Sequence, residues 1–232
     1  GLRSAALGAI QGLAEFLPIS SSAHLVLAPR LFGWTDQGLA YDVALHMGTL
    51  AALVLCFWKD WLGLTLDGLR RADTANRRLF DAMVLGTVPA GVAGLLLEHQ
   101  VESAFRDPAR IAVALAAFGV LLWWADRNGR KNRAASSAGL KDMLLIGCAQ
   151  ALALVPGVSR SGITMTAGLS LGFDRVAAAR LSFLLAMPIT AAAGLHKAKE
   201  AVPLLGDPAF WAGIAVSALV GVAAIRGLLS LL

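Results

Sequence analysis

Two apolar stretches of this chain, residues 4–31 and 143–171, are each broken at the centre by a proline and a cluster of serines. The first break reads Gln11-Gly12-Leu13-Ala14-Glu15-Phe16-Leu17-Pro18-Ile19-Ser20-Ser21-Ser22-Ala23-His24. The second reads Gln150-Ala151-Leu152-Ala153-Leu154-Val155-Pro156-Gly157-Val158-Ser159-Arg160-Ser161-Gly162. Each half of such a stretch is only about 10 to 14 residues long, too short to cross a bilayer and suited to a re-entrant segment. Non-helical backbone at membrane depth is tolerated only where it is buried in protein or lines a wet cavity. Broken helices at corresponding places in two halves of a chain mark a site near the bilayer midplane.

The remaining apolar segments are long enough to span, which takes about 20 residues. Residues 79–97, 176–195 and 209–225 qualify outright, 39–58 does so with Asp42 and His46 as polar intrusions, and 111–125 can be extended at both ends. The order is re-entrant hairpin, three spans, re-entrant hairpin, two spans. Three spans between the hairpins is an odd number, so the two copies face opposite sides of the membrane as an inverted repeat. Residues 1–126 form the first repeat and 127–232 the second. Tyr41-Asp42 and Phe173-Asp174 open the first span of each half. The expected fold is an all-α integral membrane protein with the final helix of the second repeat missing.

Composition agrees with this class. Of 232 residues 57% are hydrophobic and only 15% charged, with a mean hydropathy of +0.69, against about a quarter charged in soluble domains. The net charge of +5 lies in connections and is not interleaved with aromatics, which excludes a nucleic-acid partner. Residues 59–78 carry Lys59, Arg70, Arg71, Arg77 and Arg78, and the connection after Asp126 carries Arg127, Arg130, Lys131, Arg133 and Lys141. Two spans separate these connections, so both lie on one side, the cytoplasmic one by the positive-inside rule. The first hairpin then enters from the outer face and the second from the cytoplasm. Trp58, Trp61, Trp123, Trp124 and Trp211 sit near span ends as an aromatic belt does, and His99 and His196 read as interfacial. Cys56 and Cys148 read as small core residues. The chain's first residues lack a basic region followed by a cleavage site and read as the first functional segment, not a signal peptide.

Gln11 and Glu15 are four apart and share a helix face. A carboxylate at membrane depth is expensive and marks a functional site by default. Serines opening a helix satisfy its free N–H groups, and that helix end attracts anions. His24 lies three and four residues past Ser21 and Ser20 and can share their face. Taken alone, a serine run after proline is a helix cap. A carboxylate, a hydroxyl and a histidine within one hydrophobic hairpin together suit nucleophilic phosphoryl transfer. Gly8 and Gly12 form a small-xxx-small pair that admits another helix. In the second hairpin Arg160 supplies a planar cation matched to phosphate, with Ser159 and Ser161 beside it. The bland alternative is an arginine snorkelling to the interface. His46, Thr49 and Asp42, and likewise Arg180 and Ser182, follow the hairpins and are candidates either for packing or for lining the pocket.

These two motifs, with Gly86-Thr87-Val88-Pro89-Ala90 and Leu181-Ser182-Phe183-Leu184-Leu185-Ala186-Met187-Pro188, resemble the undecaprenyl-diphosphate phosphatase family of the bacitracin-resistance type over nearly the whole chain. The resemblance implies a hydrolase of the bacterial cytoplasmic membrane. It would remove the terminal phosphate of undecaprenyl diphosphate, a polyprenyl lipid, and so recycle the carrier for peptidoglycan synthesis. It implies Glu15, Ser21 and His24 as catalytic residues, and Arg160, Ser20, Ser159, Ser161 and Gln11 as phosphate-binding ones. It also implies a divalent cation, Mg or Ca, with Glu15 as a possible contact. Many members have glutamate where this chain has Gln11, which leaves one carboxylate fewer for a metal. The nucleophile stays open among Ser21, His24 and a water activated by Glu15. No metal-ligand cluster is visible in the sequence.

A polyprenyl-phosphate transporter or flippase is the chief alternative, because inverted repeats with broken helices also serve alternating access. An intramembrane serine protease lacks support, since there is no G-x-S-x-G elbow. The acid-phosphatase-like lipid phosphatases would need a second histidine soon after the serine–arginine pair, and none is present. The cavity is expected to open to the periplasm or exterior.

Overall fold

A computed structural model describes residues 1–35, 37–71, 73–104 and 107–232, with the side chains of 39, 40 and 98–104 left aside. Its helices are α1 (Leu2–Ala14), α2 (Ser21–Phe32), α3 (Leu39–Leu69), α4 (Ala75–Ala104), α5 (Pro108–Asn128), α6 (Leu140–Ala151), α7 (Arg160–Ser170), α8 (Arg175–His196), α9 (Ala198–Ala201) and α10 (Pro208–Leu231). Five are long and apolar enough to cross a membrane: Tyr41–Leu69, Ala75–Leu97, Pro108–Asn128, Arg175–His196 and Pro208–Leu231. The helix pairs α1–α2 and α6–α7 are the two broken segments, and each half is at most 13 residues.

Local chemistry sets these boundaries. Asp107, Asp174 and Asp207 cap α5, α8 and α10 by accepting from backbone N–H groups, as short acidic side chains do at a helix start. Pro108 and Pro208 occupy the first helical position, where no N–H is needed. The segment 59–78 is mostly helix and not a loop: α3 continues to Leu69 after a break in helical geometry at Phe57. The outer faces are apolar, with Leu96, Val113, Val120 and Leu219 between 64% and 73% exposed. A surface so apolar is stable only against lipid.

The first helix of each broken pair packs on the second span that follows the other pair. On one side α1 meets α10: a Cβ on Gly8 would lie 2.2 Å from the carbonyl oxygen of Gly213. On the other α6 meets α4: a Cβ on Gly147 would lie 1.8 Å from the carbonyl oxygen of Gly86. Without a hydrophobic drive between helices in lipid, such backbone contact is what fastens them. A core of Phe16, Phe57, Phe183, Leu53, Met83 and Leu181 fills the space between, with Phe16 meeting Phe183 edge-on at 5.4 Å. At the basic end Arg133 grips Asp142 through both guanidinium nitrogens, at 2.9 and 2.7 Å, and lies over the Phe173 ring. The Arg133 hydrogen bonds hold the Asp142 carboxyl below its ordinary range. The clasp is therefore formed at neutral pH and is lost only as pH falls through that lowered value.

Some local expectations change. Trp58, Trp123, Trp124 and Trp211 are about half exposed, as a belt requires, whereas Trp61 is partly buried against Phe80 and the core. Cys56 is partly buried but Cys148 is exposed, because it lies on the side of α6 away from α4. His99 falls outside the described side chains.

Gly147→Ala should lower the melting temperature in detergent by roughly 5–10 °C, since the new methyl meets backbone that cannot yield. Gly119→Ala, on a face with nothing within 4 Å, should leave it unchanged or slightly raised.

Candidate active site

Glu15 follows the last turn of α1, and Ser20 caps α2 by accepting from Ala23 N. Ser20 does so at φ 65° and ψ 96°, a left-handed conformation that costs a serine about 1–3 kcal/mol. Its carbonyl accepts from His24 Nδ1 at 2.8 Å, and its hydroxyl lies 3.2 Å from Ser22 Oγ. These bonds hold the tight turn that throws Ser21 back toward Glu15. In the second hairpin Ser159 caps α7, accepting from Gly162 N at 3.1 Å. That places Arg160 on the first turn.

The two hairpin turns meet. Arg160 Nη2 is ion-paired with Glu15 Oε1, and Ser161 Oγ donates to the Leu17 carbonyl at 3.2 Å. The other Glu15 oxygen is a point of convergence. Ser21 Oγ donates to Oε2 at 2.5 Å, Gln11 Nε2 donates at 3.0 Å, and His46 Nε2 lies 3.3 Å away. Glu15 is 6% exposed and Gln11 fully buried. Arg160 does not snorkel, for its side chain is 15% exposed. Its second terminal nitrogen, Nη1, is buried with no partner among the described residues.

This cluster forms the polar end of a cavity of about 530 Å³ that also takes in Ser20, Ser22 and Ser159. The walls are Ala90, Gly91, Gly94 and Leu95 of α4, Ala153 and Leu154 after α6, and Ile189, Ala192 and Ala193 of α8. His196 and Lys197 also line the cavity. A charged head and an apolar slot between helices are the two halves of an amphiphile's binding site.

Of the residues expected from sequence, the structure joins Glu15, Ser21, Arg160, Ser20 and Ser159 around one cavity. Ser161 ties the two turns together. Gln11 supports Glu15 from behind and does not line the cavity. His24 is also not among the lining residues and turns instead to the Ser20 carbonyl. His46 proves to be the histidine on Glu15. Its Nδ1 donates to the Asp42 carbonyl at 2.7 Å, so Nε2 is left to exchange a proton with the carboxylate. The sequence placed it on the span after the hairpin as a candidate for lining the pocket or for packing, and it does line the cavity; its contact with Glu15 was not legible there. Thr49 donates to the His46 carbonyl. Arg180 pairs with Asp60 at the basic end, and the fully buried Ser182 bonds Thr164 at 2.7 Å, so neither reaches this cavity.

The site does not fit a cation held by protein groups alone. Glu15 is its one carboxylate, both oxygens already face cationic or donor groups, and no group of three His, Cys, Asp or Glu side chains is gathered among the described residues.

The profile described as bacitracin resistance protein BacA matches residues 4–232. This chain belongs to the BacA family. It is 50% identical over 231 residues to the undecaprenyl-diphosphatase of Moorella thermoacetica, covering 100% of this chain and 88% of that relative. Against the undecaprenyl-diphosphatase of Pelotomaculum thermopropionicum it is 52% identical over 226 residues, 97% of this chain and 86% of the relative. Undecaprenyl-diphosphatase 2 of Stutzerimonas stutzeri is 56% identical over 190 residues, 79% and 70% of the respective chains. With five helices among the described residues long and apolar enough to cross a membrane, this BacA-family member is an all-α membrane protein.

Removing one partner of a buried ion pair strands the other charge, at a cost of about 3–5 kcal/mol. Glu15→Gln and Arg160→Gln should therefore each lower the detergent melting temperature by about 10 °C. The double variant should melt no lower than either single one, and fully additive losses would show that the pair does not couple the hairpins.

Proposed function

We propose that this chain hydrolyses undecaprenyl diphosphate to undecaprenyl phosphate and inorganic phosphate, returning the lipid carrier to cell-wall synthesis. The observation that carries this reading is the convergence of Ser21 and Arg160 on Glu15 at the head of an apolar-walled cavity. The relatives' shared name supports it. Arg160 keeps Nη2 on Glu15 while Nη1 takes up oxygens of the terminal phosphate. Glu15 accepts the Ser21 proton as Oγ attacks the terminal phosphorus. The bond to the bridging oxygen breaks, and undecaprenyl phosphate leaves as an anion that needs no general acid. Glu15 passes the serine proton to His46 Nε2 and then takes a proton from water as the water attacks the phosphoserine. The bond from phosphorus to Oγ breaks, Ser21 recovers its proton from His46 by way of Glu15, and phosphate is freed. Ser20 and Ser159 line the same head as hydroxyl donors. His24 acts by holding the Ser20 turn that aims Ser21. A divalent cation would come bound to the diphosphate and offset its charge, since both Glu15 oxygens are already engaged.

The architecture is read as two inverted repeats, 1–126 and 127–232, supported by the reciprocal packing of α1 on α10 and α6 on α4. The cavity is read as opening to the outer face of the bacterial cytoplasmic membrane. Its lining comes from the start of α3 and the C-terminal halves of α4 and α8, remote from the basic connections. A transporter would have no use for a serine hydrogen-bonded to a carboxylate, the arrangement of an activated nucleophile.

Purified protein in detergent should release phosphate from a long-chain prenyl diphosphate, whereas a pure transporter would release none. Ser21→Ala should lower kcat about 1,000-fold or more with little change in KM. Arg160→Lys, which loses the planar fork, should raise KM roughly tenfold and lower kcat too. Near-normal kcat in Ser21→Ala would leave a water on Glu15 as the attacking group.

A cysteine placed at Gly33, just past α2, should be labelled in intact cells by an impermeant maleimide added outside. Labelling confined to the cytoplasmic face would reverse the orientation.

A further inference from the structure

Both hairpins carry a glutamine one helical turn before the break, and the two are used differently. Gln11 is followed four residues later by Glu15, and its amide nitrogen is committed to that carboxylate. Gln150 is followed four residues later by Leu154, so it has no carboxylate to hold. It is 2% exposed, and neither its amide nitrogen nor its amide oxygen has a partner among the described residues. Met143, Gly147 and Gln150 lie at i, i+4 and i+7 on one face of α6. That face presses Met143 and Gly147 against the backbone of Gly86 in α4. One turn further on, Ala90 of α4 and Gln150 of α6 both line the cavity.

A buried primary amide without partners is destabilising, and an apolar side chain of the same size would remove that cost. A ligand that completes the amide would explain its place there. On the same hairpin Arg160 also lines the cavity, and its Nη1 is likewise buried and without a partner among the described residues. Two N–H groups of an amide and those of a guanidinium nitrogen match the non-bridging oxygens of a diphosphate, which only accept when ionised.

We propose that Gln150 is a substrate-binding residue whose amide nitrogen donates to the diphosphate beside Arg160 Nη1. The second hairpin then holds the anion while Glu15 and Ser21 of the first carry the chemistry. A neutral donor adds orientation without a further charge that would retain the phosphate product. This assignment rests on the diphosphate reading of the cavity given above.

The test uses the full chain purified in detergent, with farnesyl diphosphate as substrate and farnesyl methylenediphosphonate as a non-hydrolysable probe. Gln150→Leu should melt at or above the wild-type temperature without ligand. Its KM should rise about tenfold or more, its kcat should stay within about threefold, and the probe should lose most of its stabilising effect. Gln150→Glu keeps the shape but sets acceptors against acceptors, so its KM should rise further, about 100-fold. It also carries the test where the leucine variant does not accumulate. KM and probe-induced stabilisation within twofold of wild type would overturn the assignment, as would a fall in kcat with KM unchanged. Wild type that binds the probe through Gln150 yet releases no phosphate would sink the phosphatase reading and leave the Gln150 assignment standing.

Discussion

The pair between Glu15 and Arg160 is the interaction on which the rest of the structure turns. Neither charge can lie alone at membrane depth, and each sits on a hairpin whose turn exposes backbone that lipid would not satisfy. Joining them solves both problems at once, because the two turns cover each other as the charges meet. The Ser161 hydroxyl on the Leu17 carbonyl completes the junction. A buried ion pair is a poor source of net stability. Its retention here fits a requirement for reactive geometry more than one for strength.

Around that junction the scaffold works through small residues. Gly8 against Gly213 and Gly86 against Gly147 bring helix backbones into contact where larger side chains would hold them apart. The cavity opens where this contact ends, between the later turns of α4 and α8 and the end of α6. Close packing below and a gap above thus follow from one geometric fact: two helices that touch at a glycine diverge along their length. The apolar walls of the gap suit a hydrocarbon chain, and the polar head suits the anion at its end.

The strained Ser20 shows how local structure serves this junction. A serine at positive φ persists only where its surroundings insist on it. Here Ala23 N, Ser22 Oγ and His24 Nδ1 each bond to Ser20. The result is a turn short enough to return the Ser21 hydroxyl to the carboxylate from which the chain has just departed. A single hairpin therefore brings a hydroxyl and a carboxylate into hydrogen-bond contact, and the second hairpin adds the cation.

The sequence by itself determined the five spans, the two broken helices and the charge-bearing residues, because length, hydropathy and proline placement act locally. It also determined that Glu15, Ser21 and Arg160 belong to one site, since buried charges of opposite sign in matching breaks have nowhere else to go. Only the tertiary structure decided which histidine touches Glu15. His24 is near in sequence, yet the Ser20 carbonyl claims its Nδ1, while His46 reaches the carboxylate from another helix. The same holds for the two glutamines, whose letters are equal but whose partners are not. Arg180 and Ser182 likewise share a span with cavity residues and face elsewhere. Periodicity tells which residues share a face of a helix, but the angle and depth at which helices pack decide what that face meets.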